Sequence, residues 1–182
     1  KKKLFKNSNI IYNNLLINKT KLRINKEFHK IKCLVVPELN IVEVNNFIEL
    51  IKNIKNINKE IKFTLNLHPQ TSKEDVKSIK DRLKYVAKVS IRNLENEIKS
   101  NNVLIYRGST ACFKAAEEGL WLLYYNTGKF NINPLHELNL KKNNFSNIIE
   151  FSKIIDYLKF EDKHRLNKIF YPKKNQVFKY EN

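Results

Sequence analysis

The chain has no methionine, not even at position 1, only two cysteines and only three glycines in 182 residues. The missing methionine leaves two readings open, a removed initiator or a piece of a longer protein. Cys33 and Cys112 have neither a second Cys nor a His at metal-ligand spacing, which points away from a disulfide or a zinc site and toward small buried hydrophobes in a reducing compartment. No apolar run approaches the roughly 20 residues of a membrane span, and the lysine-rich start is not followed by a signal-peptide core, so a cytoplasmic protein is expected. A DxD-like pair and a histidine cluster are both missing, so no metal or other cofactor is expected. Helix-turn-helix, zinc-finger and aromatic RNP patterns are missing as well, and so is any stripe of Lys/Arg alternating with stacking aromatics; nucleic acid is not the expected partner.

What is present in excess is positive charge. The formal net charge is +17, carried by lysines scattered along the chain and not by one basic block. Such a balance favours anionic partners, including phosphates, nucleic acid or an acidic membrane surface. Lys, Asn and Ile dominate plain surface segments too, so a biased genome composition is a competing cause. With 182 residues and 42% hydrophobic content, the chain suits one main domain with extensions.

The most informative stretch is Asn102–Gly119, NVLIYRGSTACFKAAEEG. Val103–Tyr106 is a continuous apolar run, expected of a strand buried on both faces in a parallel sheet. Arg107-Gly108-Ser109-Thr110 then turns the chain. Gly108 permits close approach of a ligand or another backbone, and Ser109 is the expected N-cap of the next helix. A helix start carries free N–H groups and partial positive charge, so the turn suits a phosphate as well as being an ordinary capped connection.

Around it the pattern alternates. Residues 1–30 read as a linker or edge segment. Ile31–Val36 is a strand ended by Pro37, and Ile41–Ile57 an amphipathic helix through Val44, Phe47, Ile48, Ile51, Ile54 and Ile57. Ile61–Leu67 is a second strand, running into His68-Pro69, and 72–86 a helix opened by Ser72 with Glu74 and Asp75 in its first turn. A short strand at Lys88–Ile91 and a short helix at Leu94–Lys99 follow. Beyond Gly119, Leu120–Tyr125 is another buried strand, 126–145 reads as loop, Ser146–Leu158 as a helix and Asp162–Phe170 as a shorter one. The main domain is expected to span 31–170, with a polar tail over 171–182.

Strands and helices in strict alternation imply an α/β fold: an open, Rossmann-like parallel sheet with right-handed crossovers and helices on both faces. In such sheets ligands bind at the carboxyl ends of the strands. Glu38, His68 and Arg107–Thr110 all follow strands and are expected on one rim. Each has a plainer reading. His68 is held extended by Pro69, or donates to a phosphate. Glu38 is an acid at a helix start, or a ligand contact. Arg107 is a surface charge, or a partner for phosphate or carboxylate. Glu117 and Glu118 sit at a helix end where the dipole disfavours a carboxylate, a local cost that makes one of them, Glu118 in particular, a candidate for ribose hydroxyls. His29, His136 and His164 carry no usable pattern.

The series Val35-Val36-Pro37-Glu38, Leu67-His68-Pro69 and Tyr106-Arg107-Gly108-Ser109-Thr110-Ala111, with Ala115-Ala116, Gly119 and a Tyr-Tyr strand, resembles the C-terminal half of GT-B glycosyltransferases. The likeness is to bacterial enzymes of capsule and surface-carbohydrate synthesis, including the sialyltransferase and polysialyltransferase type, and covers roughly Ile31–Asn126. It implies that His68 contacts the donor phosphate, that Ser109 and Thr110 bind it from their helix start, and that Glu38 matches an acidic motif. That motif usually ends in glycine, where this chain has Leu39. The implied substrate is a nucleotide sugar, a CMP-sugar by resemblance, and the implied acceptor a glycan or lipid-linked saccharide, with peripheral contact to an anionic membrane. The implied chemistry is metal-independent glycosyl transfer whose general base lies in the other half of the architecture. The alternative is a non-catalytic basic module that binds nucleic acid or anionic lipid.

Overall fold

The computed structural model of the chain describes residues 30–91, 93–128, 133–135 and 144–160. The expected linker except Lys30, the helix over Asp162–Phe170, the polar tail, and His29, His136 and His164 lie outside these residues. Among the described residues, six strands form one parallel sheet: β1 (Lys32–Val36), β2 (Lys62–Asn66), β3 (Lys88–Ser90), β4 (Val103–Tyr106), β5 (Trp121–Tyr125) and β6 (Asn144–Phe145). Their order is β3-β2-β1-β4-β5-β6. Between them run α1 (Ile41–Ile57), α2 (Lys73–Leu83), α3 (Leu94–Ser100) and α4 (Ala111–Glu117), and α5 (Ile148–Phe160) follows β6. This is the open α/β, Rossmann-like sheet with helices on both faces that the alternation implies.

Side chains leave a strand on alternate faces, so each central strand feeds two cores. Cys33 and Val35 of β1 join Phe63, Leu65, Val103 and Ile105 under α1, α2 and α5. Leu34 and Val36 join Leu104, Tyr106 and Leu122 under α3 and α4. The stripe read from the period of α1 is buried as Val44, Phe47, Ile48, Ile51 and Ile54, each such side chain worth about 1.5–3 kcal/mol. Ile57, counted in that stripe, is exposed in the last turn. Both cysteines are fully buried, and burial pushes their thiols up, Cys112 to about 12, which makes them poor nucleophiles.

Caps fix the helix starts. Asn40 accepts from Val42 N–H at 2.9 Å, Ser72 from Asp75 N–H at 3.0 Å, and Asn147 from Glu150 N–H at 3.0 Å. Glu150 in turn accepts from Ser146 N–H at 2.7 Å, and these donors hold its carboxyl below the usual range. The span 126–145, read as loop, contains β6. Two residues are too few to show alternation; β6 is anchored by Phe145, whose ring stacks on Tyr125 at 5.2 Å. No described helix is long and apolar enough to cross a membrane.

Candidate functional site

From β1 the chain builds outward to β2 and β3, and from β4 the other way to β5 and β6. The crevice of the sheet therefore opens between the carboxyl ends of β1 and β4, where crossovers diverge to opposite faces. Period two decides which side chains meet there. Val36 and Tyr106 are paired in register on the α3/α4 face, so continuing both strands by two residues brings Glu38 opposite Gly108 on that same face. On β2, Phe63, Leu65 and Leu67 face the other core, which leaves Thr64, Asn66 and then His68 on the α3/α4 side.

The result is a cleft of about 570 Å³, within the size range of small-molecule sites, lined by Glu38, Asn66, His68, Asn93 and Gly108–Ala111 among others. Glu38 and Gly108 are in direct contact. A Cβ on Gly108 would overlap the Glu38 carboxylate, so glycine serves here to let that carboxylate lie on the turn. His68 is exposed, and its Nδ1 accepts from Gln70 N–H at 3.2 Å. In the neutral ring this leaves the proton on Nε2, the nitrogen free to serve as donor.

Two expectations about the turn need correction. The helix begins one residue later than its hydroxyl pair suggests: Thr110 is the N-cap, in helical geometry and with no side-chain capping bond, while Ser109 Oγ accepts weakly from Ala111 N–H at 3.3 Å in a local turn. With seven residues, α4 also has little dipole, so any anion here would be met chiefly by the side chains of Ser109, Thr110 and His68.

Arg107 reaches the rim but not this cleft. It continues the series Val103, Ile105 onto the opposite face and lines a neighbouring cavity of about 660 Å³ with Glu43, Tyr125 and Ser146. Its positive charge favours the ionised form of Glu43, and also of the Tyr124 hydroxyl, which desolvation pushes up. Glu117 and Glu118 end α4, which runs back from the rim to the amino end of β5, so the parallel crossover carries Glu118 away from the cleft. Glu117 pairs with Lys114 at 3.5 Å.

Two residues were not anticipated. Glu43 is buried, its Oε1 accepts from Glu38 N–H at 3.0 Å, and desolvation, reinforced by the Glu38 charge, pushes its carboxyl above the usual range. The signal was present as Asn40-x-x-Glu43, the spacing of a capping box. Asn66 ends β2 inside the cleft, a polar residue in the inward series of a buried strand. Among the described residues, no group of three or more His, Cys, Asp or Glu side chains could hold a metal ion. The fold is consistent with a nucleotide-binding α/β module. No protein-family model matches the sequence, and no curated protein matches it.

Proposed function

We propose that this chain is the donor-binding domain of a metal-independent glycosyltransferase of GT-B architecture, of the bacterial surface-carbohydrate type. It takes a sugar from a nucleotide-activated donor, a CMP-sugar by resemblance, and passes it to a glycan or lipid-linked acceptor. The observation that carries this reading is the meeting of Glu38, His68 and Gly108–Thr110 from three strands in one rim cleft.

As the sugar–phosphate bond breaks, negative charge grows on the departing nucleotide. His68 Nε2–H and the hydroxyls of Ser109 and Thr110 are donors suited to that charge, and positioned before reaction they would stabilise it without reorganisation. Glu38, an acceptor lying on Gly108, repels phosphate but suits ribose hydroxyls, the role the sequence had offered to Glu118. The base that activates the acceptor hydroxyl belongs to the other half of the architecture.

Thermal shift with CMP, UDP and GDP tests the reading. A nucleotide at a hundred times its Kd adds about 2.7 kcal/mol to the folded state. For a chain of this size each kcal/mol moves Tm by about 2–4 °C. One nucleotide should raise Tm accordingly, and His68→Ala and Ser109→Ala should abolish the shift while leaving the ligand-free Tm within a few degrees. The net charge of +17 supports the alternative of a nucleic-acid or anionic-lipid module. Steeply salt-dependent nucleic-acid binding with no nucleotide shift would replace the transferase reading with that one.

A further inference from the structure

Asn66 Oδ1 is fully covered and accepts no hydrogen bond among the described residues, and Asn66 as a whole is only 6% exposed. Its described neighbours in register on the two adjacent strands offer no free side-chain donor. On the β3 side it is in register with Ser90, whose single hydroxyl proton goes to Glu97 Oε1 at 2.7 Å. On the β1 side the pairing of Leu65 with Val35 makes Val36 the next residue in line, and valine has no side-chain donor. The side chain as a whole lines the cleft, so a rotation of its amide can present the oxygen there. Other buried polar groups are engaged: Glu97 binds Lys88 Nζ at 3.0 Å, and toward the amino end of the sheet Asn101 Nδ2 donates to Glu97 O at 2.7 Å. An orphaned buried amide oxygen destabilises the free protein and calls for a partner, whether an ordered water or a ligand.

We propose that Asn66 is the residue by which this cleft reads the uncharged part of its ligand, accepting a hydrogen bond from a hydroxyl or amino group of a nucleoside. The inference rests on the nucleotide reading above and adds a specificity determinant to it. A neutral amide contributes little to holding phosphate, the task suited to His68, Ser109 and Thr110, but it can both give and accept a hydrogen bond. A half-turn about its broad terminal torsion exchanges oxygen and nitrogen, so either can face the cleft. A ligand without a matching donor leaves the amide unpaired, and such sites discriminate strongly against analogues that lack the group.

The test uses the full chain, with Asn66→Leu and Asn66→Ala as independent variants, and measures the Kd of CMP and of inorganic pyrophosphate by calorimetry and the ligand-free Tm. Removing the orphaned polar group for an apolar one of similar size should raise the ligand-free Tm of Asn66→Leu by about 2–4 °C. Both variants should bind CMP at least about tenfold more weakly, the order of one lost hydrogen bond, with pyrophosphate affinity unchanged. In the wild type, 2′-deoxy-CMP and UMP set beside CMP separate a ribose hydroxyl from a base amine as the donor. CMP affinity unchanged in both variants, or CMP and pyrophosphate weakened equally, overturns the role of Asn66 while the nucleotide reading stands. A lower Tm in Asn66→Leu with unchanged CMP affinity assigns the amide to the fold. A wild type that binds none of CMP, UMP or GMP removes the nucleotide reading and this inference together.

Discussion

The two ends of the sheet treat their polar side chains in opposite ways. At the amino end, Asn102 is engaged on both sides of its amide: Oδ1 accepts from Lys32 N–H at 2.9 Å and Nδ2 donates to Lys30 O at 3.1 Å. It thereby ties the start of β4 to the start of β1, and Asn101 beside it holds the end of α3. At the carboxyl end, Asn66 Oδ1 has no partner among the described residues, the Glu38 carboxylate rests on Gly108, and Glu43 is a carboxyl that burial pushes toward protonation. Polar groups whose hydrogen bonding is complete hold the fold; those left incomplete at a cleft weaken it locally and are available to a ligand.

This contrast can be broken by substitution. The largest effect is expected at the amino end. Asn102→Ala removes two hydrogen bonds joining strands adjacent in space but distant in sequence, and should cost about 1–3 kcal/mol in chemical denaturation with no change in nucleotide affinity. A loss of affinity as large as the loss of stability would erase the division between the two ends.

Glu43→Gln has a smaller effect with a defined pH signature. Desolvation raises the folded pKa of Glu43 above its ordinary 4.5, so the native state favours the protonated form. The stability tied to it is present in full below the unfolded value and is lost as pH rises through the folded one. Gln keeps an acceptor for Glu38 N–H and cannot ionise, so the decline in stability across that window should flatten, with the variant at least as stable as wild type at neutral pH. Denaturation curves measured from about pH 4 to 8 check this, and an unchanged slope would mean that Glu43 titrates as if exposed.

Gly108→Ala is the smallest and most local change. The atoms a Cβ would meet belong to the end of the Glu38 side chain, which can swing away, so stability should change by less than about 1 kcal/mol. The informative quantity is the coupling: the substitution should be better tolerated in a Glu38→Ala background. Equal effects in both backgrounds would separate Glu38 from the turn.

Much of the fold was legible because its causes are local. The apolar runs of β1, β4 and β5, the period of α1 and the Ser72 cap each reside in a few consecutive residues, and their alternation implies parallel strands. β6 escaped because two residues carry no period, and its place depends on Phe145 finding Tyr125. The cleft was legible in part: strand-end rules put Glu38, His68 and Gly108–Thr110 on one rim. Arg107 shows the limit of that rule, since a rim has two sides and its odd position in the β4 series sends it to the Glu43 side.

By itself the sequence determined most of the strands and helices, β6 excepted, and the alternation of faces along them, because both follow from backbone periods of 2.0 and 3.6 residues. Only the tertiary structure decided who meets whom. The pairing of β1 with β4, about 70 residues apart, is a matter of strand order and register, and it lays Glu38 on Gly108. The pairing of β2 with β3 sets Asn66 beside a Ser90 hydroxyl already given to Glu97, and among the described residues Asn66 Oδ1 has no partner, because the hydrogen bonds open to a side chain depend on neighbours that the chain brings in from elsewhere.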